Sequence, residues 1–137
     1  MLTKINHIGV AVKSIEEALP FYRDALGMKL FGTEEVPSQL VKVAFLGIGE
    51  SKIELLEPTS PDSPVAKFLE KNGPGVHHVA YGVADIEAAI AELTAKGARM
   101  IDAAPRGGAH GARIAFLHPK SSGGVLTELC EAHDDSH

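Results

Sequence analysis

Ile5-Asn6-His7-Ile8-Gly9-Val10-Ala11-Val12-Lys13-Ser14-Ile15-Glu16 decides the fold, because the chain contains a second version of it. Val76-His77-His78-Val79-Ala80-Tyr81-Gly82-Val83-Ala84-Asp85-Ile86-Glu87 follows at a spacing of 71 residues and matches at His7/His78, Val12/Val83, Ile15/Ile86 and Glu16/Glu87. Lys42-Val43-Ala44-Phe45-Leu46 falls on Arg113-Ile114-Ala115-Phe116-Leu117 at the same spacing. Glu54-Leu55 and Glu57 fall on Glu128-Leu129 and Glu131, with the spacing grown to 74. One such match is easily accidental. Three in the same order describe a duplicated structural unit.

Each copy parses alike. An alternating strand over about 5–12, or 76–83, places apolar residues on one face. A helix follows: Ser14 with Glu17 makes a capping box and Gly27 is the stop, while Asp85 caps 86–96 ahead of Gly97. Pro20 is expected to kink or shorten the first helix. Three strands then follow per copy, near 28–34, 41–48 and 51–57, and near 98–102, 112–118 and 124–131. Ser63-Pro64 opens a connector helix that ends at Asn72-Gly73. The expected fold class is α+β: one domain over 3–132, built of two tandem βαβββ modules (about 1–58 and 75–132) joined by a connector over 59–74. Residues 133–137 are read as a frayed polar tail holding His133 and His137.

Composition narrows the function. The 137 residues are 45% hydrophobic and 23% charged, the mix of a globular domain. A net charge of -5 argues against nucleic acid as a partner. The single cysteine, Cys130, excludes an intrachain disulfide and a multi-cysteine zinc site. No apolar run reaches the roughly 20 residues of a membrane helix, and the first residues lack the core of a signal peptide, so the cytoplasm is the expected compartment. Seven histidines beside one cysteine point to imidazole and carboxylate chemistry.

Strand parity selects among them. His7 shares a face with Gly9 and Ala11, and His78 shares one with Ala80 and Gly82, whereas His77 points the other way. Each last strand carries a carboxylate in an apolar run, Ile53-Glu54-Leu55-Leu56 and Leu126-Thr127-Glu128-Leu129. A carboxylate so placed is costly unless paired or metal-bound. A lone strand histidine is usually structural, but here the placement occurs twice. His7, Glu54, His78 and Glu128 are therefore the expected ligands of one divalent ion, a mixed N/O set suited to Co²⁺, Mn²⁺, Ni²⁺, Zn²⁺ or Mg²⁺. His110 and His118 fall in loops, where substrate contact and a plain loop role are equally open. The stretches Arg106-Gly107-Gly108-Ala109-His110-Gly111 and Lys120-Ser121-Ser122-Gly123-Gly124 are glycine-rich and basic, suited to an anionic group, or else are ordinary connections.

The paired βαβββ pattern with His…Glu…His…Glu resembles the vicinal oxygen chelate superfamily, which includes glyoxalase I. More narrowly, residues 3–131 resemble the methylmalonyl-CoA epimerase family. The resemblance rests on Asn6-His7-Ile8-Gly9-Val10-Ala11-Val12, Lys52-Ile53-Glu54-Leu55-Leu56-Glu57-Pro58 and the Asp62-Ser63-Pro64 connector. It continues in Gly75-Val76-His77-His78, Gly108-Ala109-His110-Gly111, Phe116-Leu117-His118-Pro119-Lys120 and Gly123-Gly124-Val125-Leu126. It implies interconversion of (2R)- and (2S)-methylmalonyl-CoA by α-proton abstraction through a metal-stabilised enolate, with cobalt the favoured ion and the same four ligands. It also implies Glu128 as one proton-transfer base, an acyl-CoA substrate and, by analogy with the superfamily, a homodimer. Gln39, Lys42, His110, Arg113, His118 and Lys120 are the candidate substrate contacts. The chain has no glutamate in 41–46, where some members of the family place one as a base, and it reads Gln39-Leu40 where most members have Gln-Gly. The second base stays open among Lys42, a water held by Gln39, and Glu50. The competing readings are a glyoxalase I-like lactoylglutathione lyase and a non-catalytic small-molecule-binding protein of the same fold.

Overall fold

The computed structural model describes residues 1–132; the expected polar tail, 133–137, lies outside the described residues. The chain divides into two compact units, one of residues 7–77 and one of residues 1–6 with the chain from His78 onward. Strand β1 (Leu2–Ala11) contributes to both.

In the unit of residues 7–77 the strand order is β2 (Lys29–Val36), β3 (Val41–Ile48), β4 (Ser51–Pro58), β1. β3 runs antiparallel to both neighbours, and β1 runs parallel to β4 with Gly9 opposite Glu54. One face is closed by helix α1 (Ile15–Leu19) over Val10, Val12, Ala44, Leu46 and Leu55. Ser14 caps α1 by accepting the Glu17 N–H. Pro20 has no N–H to donate, and the helix widens there into a π-helical turn over Pro20–Ala25, in which Leu26 N–H bonds Phe21 O at 2.9 Å. The expected kink therefore takes the form of a change of helix type. Helix α2 (Pro64–Asn72) is capped by the fully buried Ser63, whose hydroxyl accepts the Val65 N–H.

The other unit repeats the plan. Its order is β5 (Gly75–Val83), β8 (Thr127–Glu131), β7 (Arg113–Leu117), β6 (Arg106–Gly107). β5 is parallel to β8 with Ala80 opposite Glu128, and β7 is antiparallel to both neighbours. Helix α3 (Ile86–Ala95), capped by Asp85, covers Val83, Ala115, Leu117 and Leu129. The strand expected near 98–102 is reduced to a single bridge, Met100 to Leu117. The Asp102 carboxylate accepts the Phe116 N–H at 2.9 Å, so a side chain replaces a ladder bond and the pairing resumes only at Arg106. The last strand begins at Thr127, later than expected, because Gly123 and Gly124 hold positive φ just before it.

Candidate functional site

Register explains why the two copies present the same chemistry. In β1 and β5 the histidine lies two residues before the residue that faces the glutamate of the parallel neighbour: His7 before Gly9, opposite Glu54, and His78 before Ala80, opposite Glu128. Small residues at 9 and 80 leave room for the side chains to meet. His7 Nδ1 lies 3.2 Å from Glu54 Oε2, and His78 Nε2 lies 3.1 Å from Glu128 Oε1. All four residues are buried, with exposures of 4%, 7%, 4% and 4% in chain order. Each pair lies among buried apolar side chains of its own unit. Val41, Val43 and Phe45 of β3 are buried beside Glu54, and Phe116, opposite Glu128, packs edge-on to the His78 ring at 5.6 Å.

Two ionised carboxylates taken out of water need cationic or metal partners. Two ligand atoms about 2.1 Å from one ion and at right angles lie about 3.0 Å apart, so each imidazole–carboxylate separation, taken by itself, is that of two ligands on one ion, and N/O donors of this kind suit a borderline divalent metal.

The substrate-contact candidates separate by face. Lys42 stands opposite Glu57, and Arg113 opposite Glu131, on the helix side of their strands and away from the His/Glu face. Arg113 bonds Glu87 at 2.9 Å and Glu131 at 3.3 Å. The Glu87 hydrogen bond, with the charges of both carboxylates, raises its pKa above the ordinary arginine value. His118 Nδ1 accepts the Lys120 N–H at 3.1 Å, capping the turn over Pro119–Ser122, in which Lys120 is exposed. Gln39 is half-buried, and its carbonyl accepts from the Ser63 hydroxyl at 3.4 Å. His110 holds a left-handed conformation in its loop, φ 56°. Glu50 lies exposed in the turn between β3 and β4.

Sequence reading missed the work of Glu57 and Glu131. Each turns to the helix side and accepts the first helical N–H, Ile15 N–H at 2.8 Å and Ile86 N–H at 2.9 Å. Their common spacing after Glu54 and Glu128, three residues in each copy, was the available signal.

The duplicated strand–helix–strand plan and the paired His/Glu face define a class. Residues 6–116 match the Glyoxalase/Bleomycin resistance protein/Dioxygenase superfamily, and the chain belongs to it. Among its relatives is the mitochondrial methylmalonyl-CoA epimerase of Mus musculus, 44% identical over 132 residues, covering 96% of this chain and 74% of that protein. A variant of the Streptomyces coelicolor methylmalonyl-CoA epimerase, solved in complex with 2-nitronate-propionyl-CoA, is 45% identical with a TM-score of 0.94 and covers 97% of this chain and 96% of its own. A methylmalonyl-CoA epimerase solved with methylmalonyl-CoA and NH4+ has the same identity, TM-score and coverage. The relatives therefore favour an epimerase over a glyoxalase-type lyase.

Proposed function

We propose that this chain is an epimerase that interconverts (2R)- and (2S)-methylmalonyl-CoA. The observation that carries the reading is identity of 44% with an enzyme of that name across 96% of the chain. The buried imidazole–carboxylate pairs supply chemistry suited to it. His7, Glu54, His78 and Glu128 are proposed to hold one divalent ion per chain, with Co²⁺ favoured. When bound, such an ion supplies positive charge against the negative charge that builds on an acyl oxygen as the α-proton leaves.

The chain's own residues do the rest. Epimerisation removes the proton from one face of the α-carbon and returns it from the other, so it requires groups that take up and release a proton. Glu128 is proposed as one of them: its carboxylate accepts the α-proton of one epimer, and a second group on the opposite face delivers the proton that completes the inversion. The apolar wall of Ile114, Phe116 and Cys130 excludes water from the same face, which strengthens every charge interaction there. Imidazoles at 7 and 78 orient the carboxylates beside them. Substrate contact is proposed for Gln39, His110, His118 and Lys120; Lys42 and Arg113, on the helix side of their strands, are weaker candidates. A homodimer and a cytoplasmic location complete the proposal. Among the described residues, no helix is long and apolar enough to cross a membrane.

The direct test is exchange of the α-proton of methylmalonyl-CoA with deuterated solvent, using protein saturated with Co²⁺. Exchange and inversion at the α-carbon are expected, and the metal content should approach one ion per chain. Absence of exchange in metal-loaded protein overturns the reading. Turnover of the methylglyoxal–glutathione adduct in its place assigns the lyase activity.

A further inference from the structure

Two arginines border β7, and the register sends them to opposite faces. Arg113 lies on the helix side and is engaged by Glu87 and Glu131. Arg106 pairs with Ile114, which shares its face with Phe116, and those two stand opposite Cys130 and Glu128. Arg106 is therefore on the His78/Glu128 face. Its guanidinium sits 5.5 Å from the centre of the Phe116 ring, and that ring in turn packs against His78. Nε lies 3.4 Å from Asp102 Oδ1, and Asp102 is itself fixed by the Phe116 N–H. The chain runs tightly over this wall, since a Cβ at Gly108 would come within 2.9 Å of Ile114 Cγ2. The arginine side chain nevertheless keeps 41% of its surface exposed. A guanidinium has five N–H donors in a fixed fork, and one ion pair at the Nε edge uses only part of them.

The unit of residues 7–77 offers a contrast at the matching place. Val43 corresponds to Ile114 in the repeat, and the residue opposite Val43 is Glu34, on the same face as Glu54. A carboxylate there repels an anion, whereas the guanidinium at 106 attracts one.

We propose that Arg106 is a substrate-binding residue that takes an anionic oxygen group of an acyl-CoA, held in place by the Phe116 ring and the Asp102 carboxylate. The proposal rests on the epimerase reading for the identity of the substrate, but not for the position or charge of the site. The two sources of such a group are the free carboxylate of the acyl chain and the phosphates of CoA. A guanidinium fork suits either by paired charge-assisted hydrogen bonds.

The test compares wild-type protein with Arg106→Ala and Arg106→Lys, metal-loaded, on methylmalonyl-CoA and on methylmalonyl-pantetheine, which lacks the CoA phosphates. Binding is read by calorimetry and turnover by α-proton exchange. Loss of a charge-assisted pair predicts a roughly 10- to 100-fold rise in Kd and KM for Arg106→Ala, with partial recovery in Arg106→Lys. The same loss on both substrates assigns the acyl carboxylate; a loss confined to the CoA thioester assigns a phosphate. An unchanged Kd for both substrates in Arg106→Ala overturns the proposal. So does a fall in melting temperature with no change in Kd, which a purely structural role through Asp102 would give. Wild-type protein that binds the thioester with an Arg106-dependent Kd yet exchanges no proton sinks the epimerase reading and leaves this one standing.

Discussion

At the scale of single residues, burial decides how much chemistry a side chain carries. Glu128 is 4% exposed and lies beside Phe116 and Cys130, so its carboxylate has little contact with water. Glu128→Ala is expected to abolish α-proton exchange while the protein remains folded, as read by circular dichroism; exchange within tenfold of wild type would remove Glu128 from the mechanism. Leu40 is a different kind of residue. It holds φ 54° and ψ 45°, a left-handed conformation that costs a non-glycine residue about 1–2 kcal/mol. It ends the turn that follows Val36, and its carbonyl accepts the Thr59 N–H. Leu40→Gly relieves that strain but adds freedom to the unfolded chain, so a net gain of about 0.5 kcal/mol is expected in urea unfolding. Glycine adopts that φ without the steric penalty a side chain brings.

At the scale of elements, helices α1 and α3 are each tied to a strand by a carboxylate rather than by apolar packing alone. Glu57 and Glu131 sit near the ends of β4 and β8 and accept the first N–H of α1 and α3. A negative charge at a helix N-terminus is favoured by the unpaired N–H groups and the helix dipole. Replacing Glu57 by Ala is expected to cost about 1 kcal/mol in denaturant midpoint stability. Glu131→Ala should cost more, since Arg113 then keeps Glu87 as its carboxylate partner but loses Glu131. Equal costs would show that the Arg113 pair contributes little at its exposed edge. Both strands thus serve two faces at once: position 54 or 128 turns to the imidazole, and position 57 or 131 turns to the helix. Alternation over three residues makes that division unavoidable.

At the scale of the whole molecule, the proposed metal links folding to function. Ion binding to the native chain and not to the unfolded one adds about 2.7 kcal/mol at a hundredfold excess over Kd. Addition of Co²⁺ should therefore raise the melting temperature, a chelator should reverse it, and His78→Ala should blunt the response. The response should also weaken as pH falls, because imidazole and carboxylate ligands must lose their protons to bind. A melting temperature indifferent to every divalent ion would leave the buried carboxylates without the partner proposed for them. Much of this was legible in the chain itself. Duplication, strand alternation and capping residues are local properties, written in side-chain size, polarity and spacing, and they specified two βαβββ copies with a histidine early and a glutamate late in each. Other features depend on which strands become neighbours, and no local pattern records that. The parallel register that sets Glu54 opposite Gly9 and Glu128 opposite Ala80 is one such feature. The turning of Arg113 to the helices and Arg106 to the His78 face is another, decided by which residues of β6, β7 and β8 pair. Sequence thus determined the two copies and the placing of a histidine and a glutamate in each, and tertiary pairing decided which side chains share a face, because a side chain's neighbours across a sheet are set by hydrogen bonding between distant strands.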